Sequence, residues 1–176
     1  LAEEKNILAR NEIGILYREW AKEKRADEKE AKFKQAEEWL KPLAEEKNFL
    51  ASNELSLLYR FWGCENYKII ARAKIELSKE WYLKTIRLKD DNIQSYDGLC
   101  RVLILLEEFE ECEEWANKAL KIRINDSRIL KIMVDLYYYH LKNNSKALNI
   151  LNKVPNTSRN LEYIEKWKKK LLNNFV

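Results

Sequence analysis

The chain has 176 residues, of which 46% are apolar and 35% charged, and it contains only three glycines and two prolines. So few turn-forming residues exclude an all-β fold with many tight turns, and the abundance of Ala, Glu, Lys, Leu and Arg favours long helices. The formal net charge of +4 is too small to predict a strong overall attraction to nucleic acid or to membranes.

Three cysteines, an odd number, lack the spacing of a metal or redox motif. We therefore expect reduced, mostly packed thiols in a cytoplasmic protein. No apolar run reaches the roughly 18 residues that a membrane-spanning helix needs, so we predict no membrane partner.

The first 20 residues, LAEEKNILARNEIGILYREW, recur at residues 43–62 as LAEEKNFLASNELSLLYRFW. Fourteen of the 20 positions are identical at an offset of 42 residues. Self-similarity at such a period predicts stacked supersecondary units. Residues 1–6 match the end of the helix that precedes the second copy, so we expect a fragment of a longer repeat protein.

Apolar residues at helical spacing predict the elements of the first two units in chain order. The first unit has a helix at 7–20 and a second helix that takes in the charged stretch from 21 and continues to Leu43. Pro42 is expected to kink or shorten that helix. The second unit repeats this pattern with helices at 49–62 and 67–88, separated by a break at Gly63.

The remaining chain is divided into shorter elements, and the predicted helices lie at 93–107, 110–122, 127–141, 145–154 and 159–173. The predicted repeat units, all within a single domain of residues 1–176, are 7–48, 49–92, 93–126 and 127–156. The last helix carries Leu161, Ile164 and Leu171 on one side and lysines on the other. This pattern is typical of a capping helix, with a basic amphipathic surface for membrane or nucleic acid as the alternative.

The third unit, IQSYDGLCRVLILLEEFEECEEWANKALKIRIND, resembles a tetratricopeptide repeat. That family has 34-residue helix–turn–helix units with the pattern W-x2-L-G-x2-Y in the first helix. In this unit Tyr96 stands at the Trp position, Leu99 and Cys100 at the Leu-Gly pair, and Leu103 at the Tyr position. Cys112 takes the small position of the second helix.

The resemblance extends to all four units in one register and implies that small side chains let the helices of each hairpin approach closely. The small positions are Gly14, Ser56, Cys100 and Val134 (a departure) in the first helices, and Ala36, Ser78, Cys112 and Ala147 in the second. The aromatic position holds Tyr17, Tyr59, Leu103 and Tyr137. The intervals between the two small positions are 22, 22, 12 and 13 residues, so the first two units are longer than the family's.

The Sel1-like branch also has longer units but uses loop glycines that are missing here, so it fits less well. We therefore expect an all-α fold, a right-handed α-solenoid of four tetratricopeptide-like hairpins with a C-terminal capping helix.

No catalytic constellation is found in the sequence. The single histidine, His140, lacks an orienting partner and a nucleophile, no His, Cys, Asp and Glu set has metal-ligand spacing, and no glycine-rich phosphate loop is present. We predict no enzyme activity, no cofactor and no metal site.

The resemblance implies that a partner binds along the concave face, which the first helix of each unit lines. The candidate partner-binding residues are Asn11, Arg18, Asn53, Arg60, Phe61, Arg101, Arg128, Lys131, Tyr138 and Tyr139. In the family an Asn at the equivalent positions 11 and 53 can hold the backbone of an extended peptide. Arginines bind carboxylates, and the aromatic residues suit an apolar pocket. The predicted function is a scaffold that binds a protein or peptide.

Two alternatives remain open. Five positive against three negative groove positions make an RNA-binding channel conceivable, and the stack can instead be a sensor or assembly domain of a larger regulator. A chaperone receptor is not predicted, because Gln94 and Gly98 stand where the two-carboxylate clamp of that group has Lys and Arg.

Overall fold

The computed structural model describes residues 2–23, 26–65 and 69–172, and all regular structure within these ranges is helical. The helices in chain order are α1 (Ala2–Glu23), α2 (Ala26–Glu45), α3 (Phe49–Glu65), α4 (Ile69–Leu88), α5 (Ile93–Leu105), α6 (Phe109–Ile122), α7 (Ser127–Asp135), a π-helical turn (Leu136–His140), α8 (Asn144–Leu151) and α9 (Ser158–Leu172).

Two compact units divide the chain at Val102 and Leu103, within α5. In the first unit α1 packs on α2, α2 on α3 and α3 on α4, and α1 also contacts α3. In the second unit α6 packs on α7, α7 on α8 and α8 on α9. Because these successive helices pack on one another within each unit, the predicted fold class, an all-α solenoid of helical hairpins, is confirmed. The arrangement as one domain of four repeats stays a prediction.

In the first two hairpins the small position of the first helix lies where the two helices meet, as the register predicted. The Ser78 hydroxyl donates to the Ser56 carbonyl oxygen at 2.7 Å, which joins α4 to α3 at their crossing. Both serines are fully buried. In the first hairpin a Cβ on Gly14 would lie 2.5 Å from Cγ of Leu40 in α2. The close approach of the backbones therefore depends on these small residues.

Short polar side chains determine where several helices begin. The Asn48 side-chain oxygen accepts from the Ala51 amide at 2.9 Å, and Asn92 and Asn143 bond the amides of Ser95 and Lys146 in the same way. Asp126 accepts from the Arg128 amide at 3.0 Å. These bonds satisfy amides that have no partner within the helix.

Several predicted boundaries were wrong. Gly63 does not break a helix but lies within α3. Glycine is required there because α4 approaches closely: a Cβ would come within 2.5 Å of Ile75 and 2.9 Å of the Ala71 carbonyl oxygen. Pro42 lies in the last turn of α2, which continues past it to Glu45. The charged stretch from residue 21 is divided between α1 and α2, and residues 24 and 25 lie outside the described ranges.

The last predicted helices also differ in detail. The regular part of α7 ends at Asp135, and the π-helical turn that follows is closed by the Leu141 amide donating to the Leu136 carbonyl oxygen at 3.0 Å. In α9 the buried apolar residues are Ile164, Trp167 and Leu171. Leu161 was expected on that side but is 44% exposed, because the buried side of the helix begins at Asn160, which precedes Ile164 by one turn.

Candidate protein-interaction surfaces

Two of the predicted groove residues, Asn11 and Arg18, are only 1% and 7% exposed. Arg18 donates to a Glu54 carboxylate oxygen at 2.8 Å and also pairs with Glu19 at 2.5 Å. Arg18 was expected to bind a partner's carboxylate, but the chain itself supplies that carboxylate. The Arg18–Glu54 pair joins α1 to α3. Burial leaves Asn11 without an exposed amide, so the expectation that it holds a peptide backbone does not fit this structure.

Beside this pair, Arg60 and Phe61 lie on the half-buried side of α3. The Arg60 guanidinium carbon is 5.2 Å from the centre of the Phe61 ring, and that of Arg18 is 5.7 Å from it. Arg60 forms no ion pair with a carboxylate in the part of the chain that the structure describes. It is therefore a cation held against an aromatic face rather than against an acid.

The phenol of Tyr82 is buried against Gly98, where an added Cβ would be 2.5 Å from its oxygen. Burial is the main reason that its pKa is raised to about 12. Charged side chains of α1, α3 and α5 also act on this pKa, namely Arg60, Asp97, Glu54 and Arg18. Within the described residues, three buried polar atoms of this unit have no hydrogen-bond partner: Asn11 Oδ1, Arg18 Nε and the Tyr82 hydroxyl.

The other predicted groove residues of the first unit are engaged within the chain. Ser95 donates to the Asn53 side-chain oxygen at 3.3 Å, a contact between α5 and α3. Arg101 is exposed and bonds both oxygens of Asp97, one helical turn earlier, at 3.0 and 3.1 Å. Such a bidentate pair satisfies the guanidinium locally.

In the second unit the predicted cations also contact the chain's own groups. Arg128 donates to the Asp126 carboxylate from its backbone amide and from its guanidinium at 3.0 and 3.1 Å. Burial opposes ionisation of Asp126, but these hydrogen bonds hold its pKa below the usual range. Lys131 donates to the Asn160 side chain at 2.7 Å and lies 4.8 Å from the centre of the Tyr163 ring, which joins α7 to α9.

Tyr138 and Tyr139, which were predicted to contribute to an apolar pocket, lie in an aromatic cluster with Trp167. These two rings and Trp167 meet edge to face, with centroids 5.0 to 5.5 Å apart. The Lys170 ammonium lies 4.4 to 5.0 Å from all three centroids and donates to the Tyr139 hydroxyl at 2.7 Å. The π-helical turn places both tyrosines beside α9, where the chain's own lysine contacts their rings.

Among the described residues, a three-residue contact between successive hairpins occurs twice, and the sequence analysis missed it. Tyr59 donates to Glu37 of the preceding helix at 2.6 Å, and Lys74 lies 3.6 Å from the same carboxylate. The second instance is Tyr137 with Glu113 at 2.5 Å and Lys146 at 3.7 Å. Burial, and then the neighbouring glutamate, raise the pKa of both tyrosines.

The equivalent positions between the second and third repeats hold Leu103 and Lys79, which cannot form this contact. The sequence contains a pattern that could have predicted this contact. A glutamate directly follows the small position of the second helix, at Ala36 and at Cys112, whenever the next repeat has tyrosine at the aromatic position.

The described helices contain no group of three or more side chains arranged to hold a metal ion. None of them combines the length and the apolar character that crossing a membrane requires. His140 is exposed and stacks on Phe109, with 4.7 Å between ring centroids.

No model of a protein family matches the chain, and no curated protein sequence matches it. A solved structure of a mutant of the protein MamA is similar over 86% of this chain and 96% of that chain, with 16% sequence identity and a TM-score of 0.41. Similarity at this level supports no argument about function. The class of protein, an all-α helical repeat, therefore rests on the chain's own hairpins and its 42-residue repeat.

Proposed function

We propose that this chain is a non-enzymatic scaffold of the tetratricopeptide family that binds an acidic protein segment against α3. The observation that supports the proposal most directly is the state of Arg60, a half-buried cation that stacks on Phe61 and pairs with no carboxylate among the described residues. A cation in this state binds a partner's carboxylate without first breaking an internal ion pair.

The two sides of α3 differ in a way that supports this site. One stripe of the helix is fully buried, whereas Asn53, Leu57, Arg60 and Phe61 are all half-buried. These four residues are spaced at i, i+4, i+7 and i+8 and so share one side of the helix. They offer an amide, an apolar side chain, a guanidinium and an aromatic ring within about two helical turns.

The chemistry of this stripe defines the partner. A carboxylate binds Arg60 through two parallel hydrogen bonds, and an apolar side chain beside it packs on Leu57 or Phe61. Hydrogen bonds to a charged group contribute about 1.5–3 kcal/mol, which corresponds to roughly 10- to 150-fold in affinity. We therefore propose an extended segment with an Asp or Glu next to an apolar residue.

The other candidates contribute less to this proposal. Three of the five cations on which the RNA alternative depends, Arg18, Arg101 and Arg128, are paired with carboxylates of the chain. We therefore do not propose RNA binding. Tyr138, Tyr139 and Lys131 remain predicted contacts of a separate surface, and a cytoplasmic location remains a prediction from the cysteines.

The test is selection from a random peptide library displayed on phage, followed by affinity measurements on the selected peptides. We expect enrichment of Asp and Glu next to apolar residues. Arg60→Ala should weaken binding at least tenfold. Arg101→Ala is the matched control, because Arg101 is already paired with Asp97, and it should change affinity less than threefold. Peptides without acidic residues, or equal binding to the Arg60→Ala variant, would contradict the proposal.

A further inference from the structure

Two helices of the first unit carry the same stripe of residues at the 42-residue offset. We call them the α1 stripe, which is Ala9, Glu12, Ile13, Leu16, Tyr17 and Trp20, and the α3 stripe, which is Ala51, Glu54, Leu55, Leu58, Tyr59 and Trp62. Five of the six residue types are identical, and the sixth exchanges Ile for Leu. The spacing places each set on one side of its helix.

The two stripes differ completely in burial. All six residues of the α3 stripe are buried, whereas none of the α1 stripe is. Trp62 is 1% exposed and Trp20 is 44% exposed, and the corresponding values for Leu58 and Leu16 are 0% and 48%. Since the residues are nearly the same, the difference comes from the neighbouring helix and not from the stripe.

The neighbour that covers the α3 stripe is α2, through three specific contacts. Glu37 accepts a hydrogen bond from Tyr59 and Glu30 accepts one from the Trp62 indole, each at 2.6 Å. Phe33 stacks on Trp62 with 5.6 Å between centroids and 19° between planes. The three residues follow the pattern Glu-x2-Phe-x3-Glu on one side of α2.

The first hairpin already contains the aromatic pair and the lysine of this interface. Lys32 of α2 lies 5.0 and 5.2 Å from the ring centres of Tyr17 and Trp20. In the second hairpin, Lys74 of α4 lies 5.1 and 3.4 Å from Tyr59 and Trp62 and pairs with Glu37 of α2. The aromatic pair and the lysine are thus present in both hairpins, and the glutamates and phenylalanine reach only the second.

We propose that the α1 stripe is a docking surface for an amphipathic helix that carries the pattern Glu-x2-Phe-x3-Glu. The two glutamates accept hydrogen bonds from the Tyr17 hydroxyl and the Trp20 indole, and the phenylalanine stacks on Trp20. The glutamate opposite Tyr17 also pairs with Lys32. The occupant is not α2 of a second copy, because Phe33 is only 1% exposed and is already packed on α3 of its own chain.

The probe for this proposal is a fluorescein-labelled synthetic peptide with the sequence of residues 26–48, titrated with the full chain and followed by anisotropy. We expect saturable 1:1 binding. Trp20→Ala should weaken it at least tenfold, and so should Phe33→Ala within the peptide. The indole NH resonance of Trp20, assigned from its loss in the Trp20→Ala variant, should shift on binding.

Matched controls test whether the peptide binds at the α1 stripe itself. Trp39→Ala removes another partly exposed tryptophan, which lies outside the α1 stripe, and should leave the affinity unchanged within twofold. Arg60→Ala should also have no effect, so that the outcome is independent of the proposed function. Circular dichroism establishes that each variant is folded.

Three results would overturn the proposal. The first is no binding at 1 mM peptide. The second is binding that Trp20→Ala does not weaken, which would mean that the peptide exchanges with α2 on the α3 stripe. The third is a dimer in analytical ultracentrifugation that Trp20→Ala dissolves, which would make a second copy the occupant.

Discussion

The hairpin α1–α2 and the hairpin α3–α4 begin with almost the same sequence, yet the α1 stripe is exposed or half-buried and the α3 stripe is buried. Trp20 and Trp62 occupy equivalent positions and differ from 44% to 1% in exposure. The two hairpins differ in the helix that covers the stripe, because α2 covers only the α3 stripe, with Glu30, Phe33 and Glu37. In a helical repeat, the burial of a residue is therefore a property of two successive units, and identical side chains contribute unequally to stability.

The largest expected effect comes from removing the two equivalent tryptophans. Trp62→Ala should lower the free energy of unfolding by about 3–5 kcal/mol, because it empties a buried site between α2 and α3 and removes the indole hydrogen bond to Glu30. Trp20→Ala should cost less than about 1 kcal/mol, since exposed side chains lose little on truncation. Urea denaturation followed by circular dichroism measures both, and equal losses would show that the α1 stripe is covered in solution.

A smaller effect is expected where the first hairpin has glycine and the second has serine. Gly14→Ser makes the positions alike, but its Cβ would lie 2.5 Å from Leu40 Cγ. Overpacking of this kind costs about 1–3 kcal/mol, offset in part by the better helix propensity of serine. We expect a net loss of about 1–2 kcal/mol in the same denaturation assay.

The control for this variant is the double substitution Gly14→Ser, Leu40→Ala, compared with Leu40→Ala alone. If the clash is the cause, serine should cost nothing once Leu40 is truncated. A persistent loss would place the role of Gly14 elsewhere.

An effect of similar size is expected for the hydroxyl of the equivalent tyrosines. Tyr59→Phe removes the hydrogen bond to Glu37 and should cost about 1–2 kcal/mol at pH 7, whereas Tyr17→Phe should stay within about 0.5 kcal/mol. Burial and Glu37 raise the pKa of Tyr59, so the folded state holds this proton more tightly than the unfolded state does. The associated stability is fully present below about pH 10 and is lost as the pH rises above it.

Denaturation between pH 7 and pH 11 tests this sign. The difference in stability between wild type and Tyr59→Phe should shrink above pH 10. A difference that grows with pH would mean that the tyrosinate, and not the phenol, is stabilised in the fold.

Much of the fold followed from residue spacing. The 42-residue repeat and the small positions located the hairpins, and the Ser56–Ser78 contact lies at the predicted crossing. Gly63 was misread because glycine favours both helix ends and close backbone approach, and only the position of α4 distinguishes the two. The π-helical turn was not predictable from local pattern, since Leu136 and Tyr137 continue the buried apolar pattern of α7.

The candidate site was less predictable. Spacing identified the side of each helix on which Arg18, Arg60 and Arg101 lie, but it does not report which of them has an acid within reach. Glu54 is 36 residues from Arg18 in sequence, and its contact depends on how α3 packs on α1. Asn11 and Asn53 are equivalent in register, yet one is buried and the other half-buried.

The amino-acid sequence alone specified an all-helical repeat, its period and the small residues at which helices cross, because these depend on local periodicity and side-chain size. The tertiary structure decided which cations are neutralised, which tyrosines are hydrogen-bonded to the preceding hairpin and which of two nearly identical stripes is covered. Those properties depend on long-range packing, where the partner of a residue lies in another helix and its presence cannot be read from the residue itself.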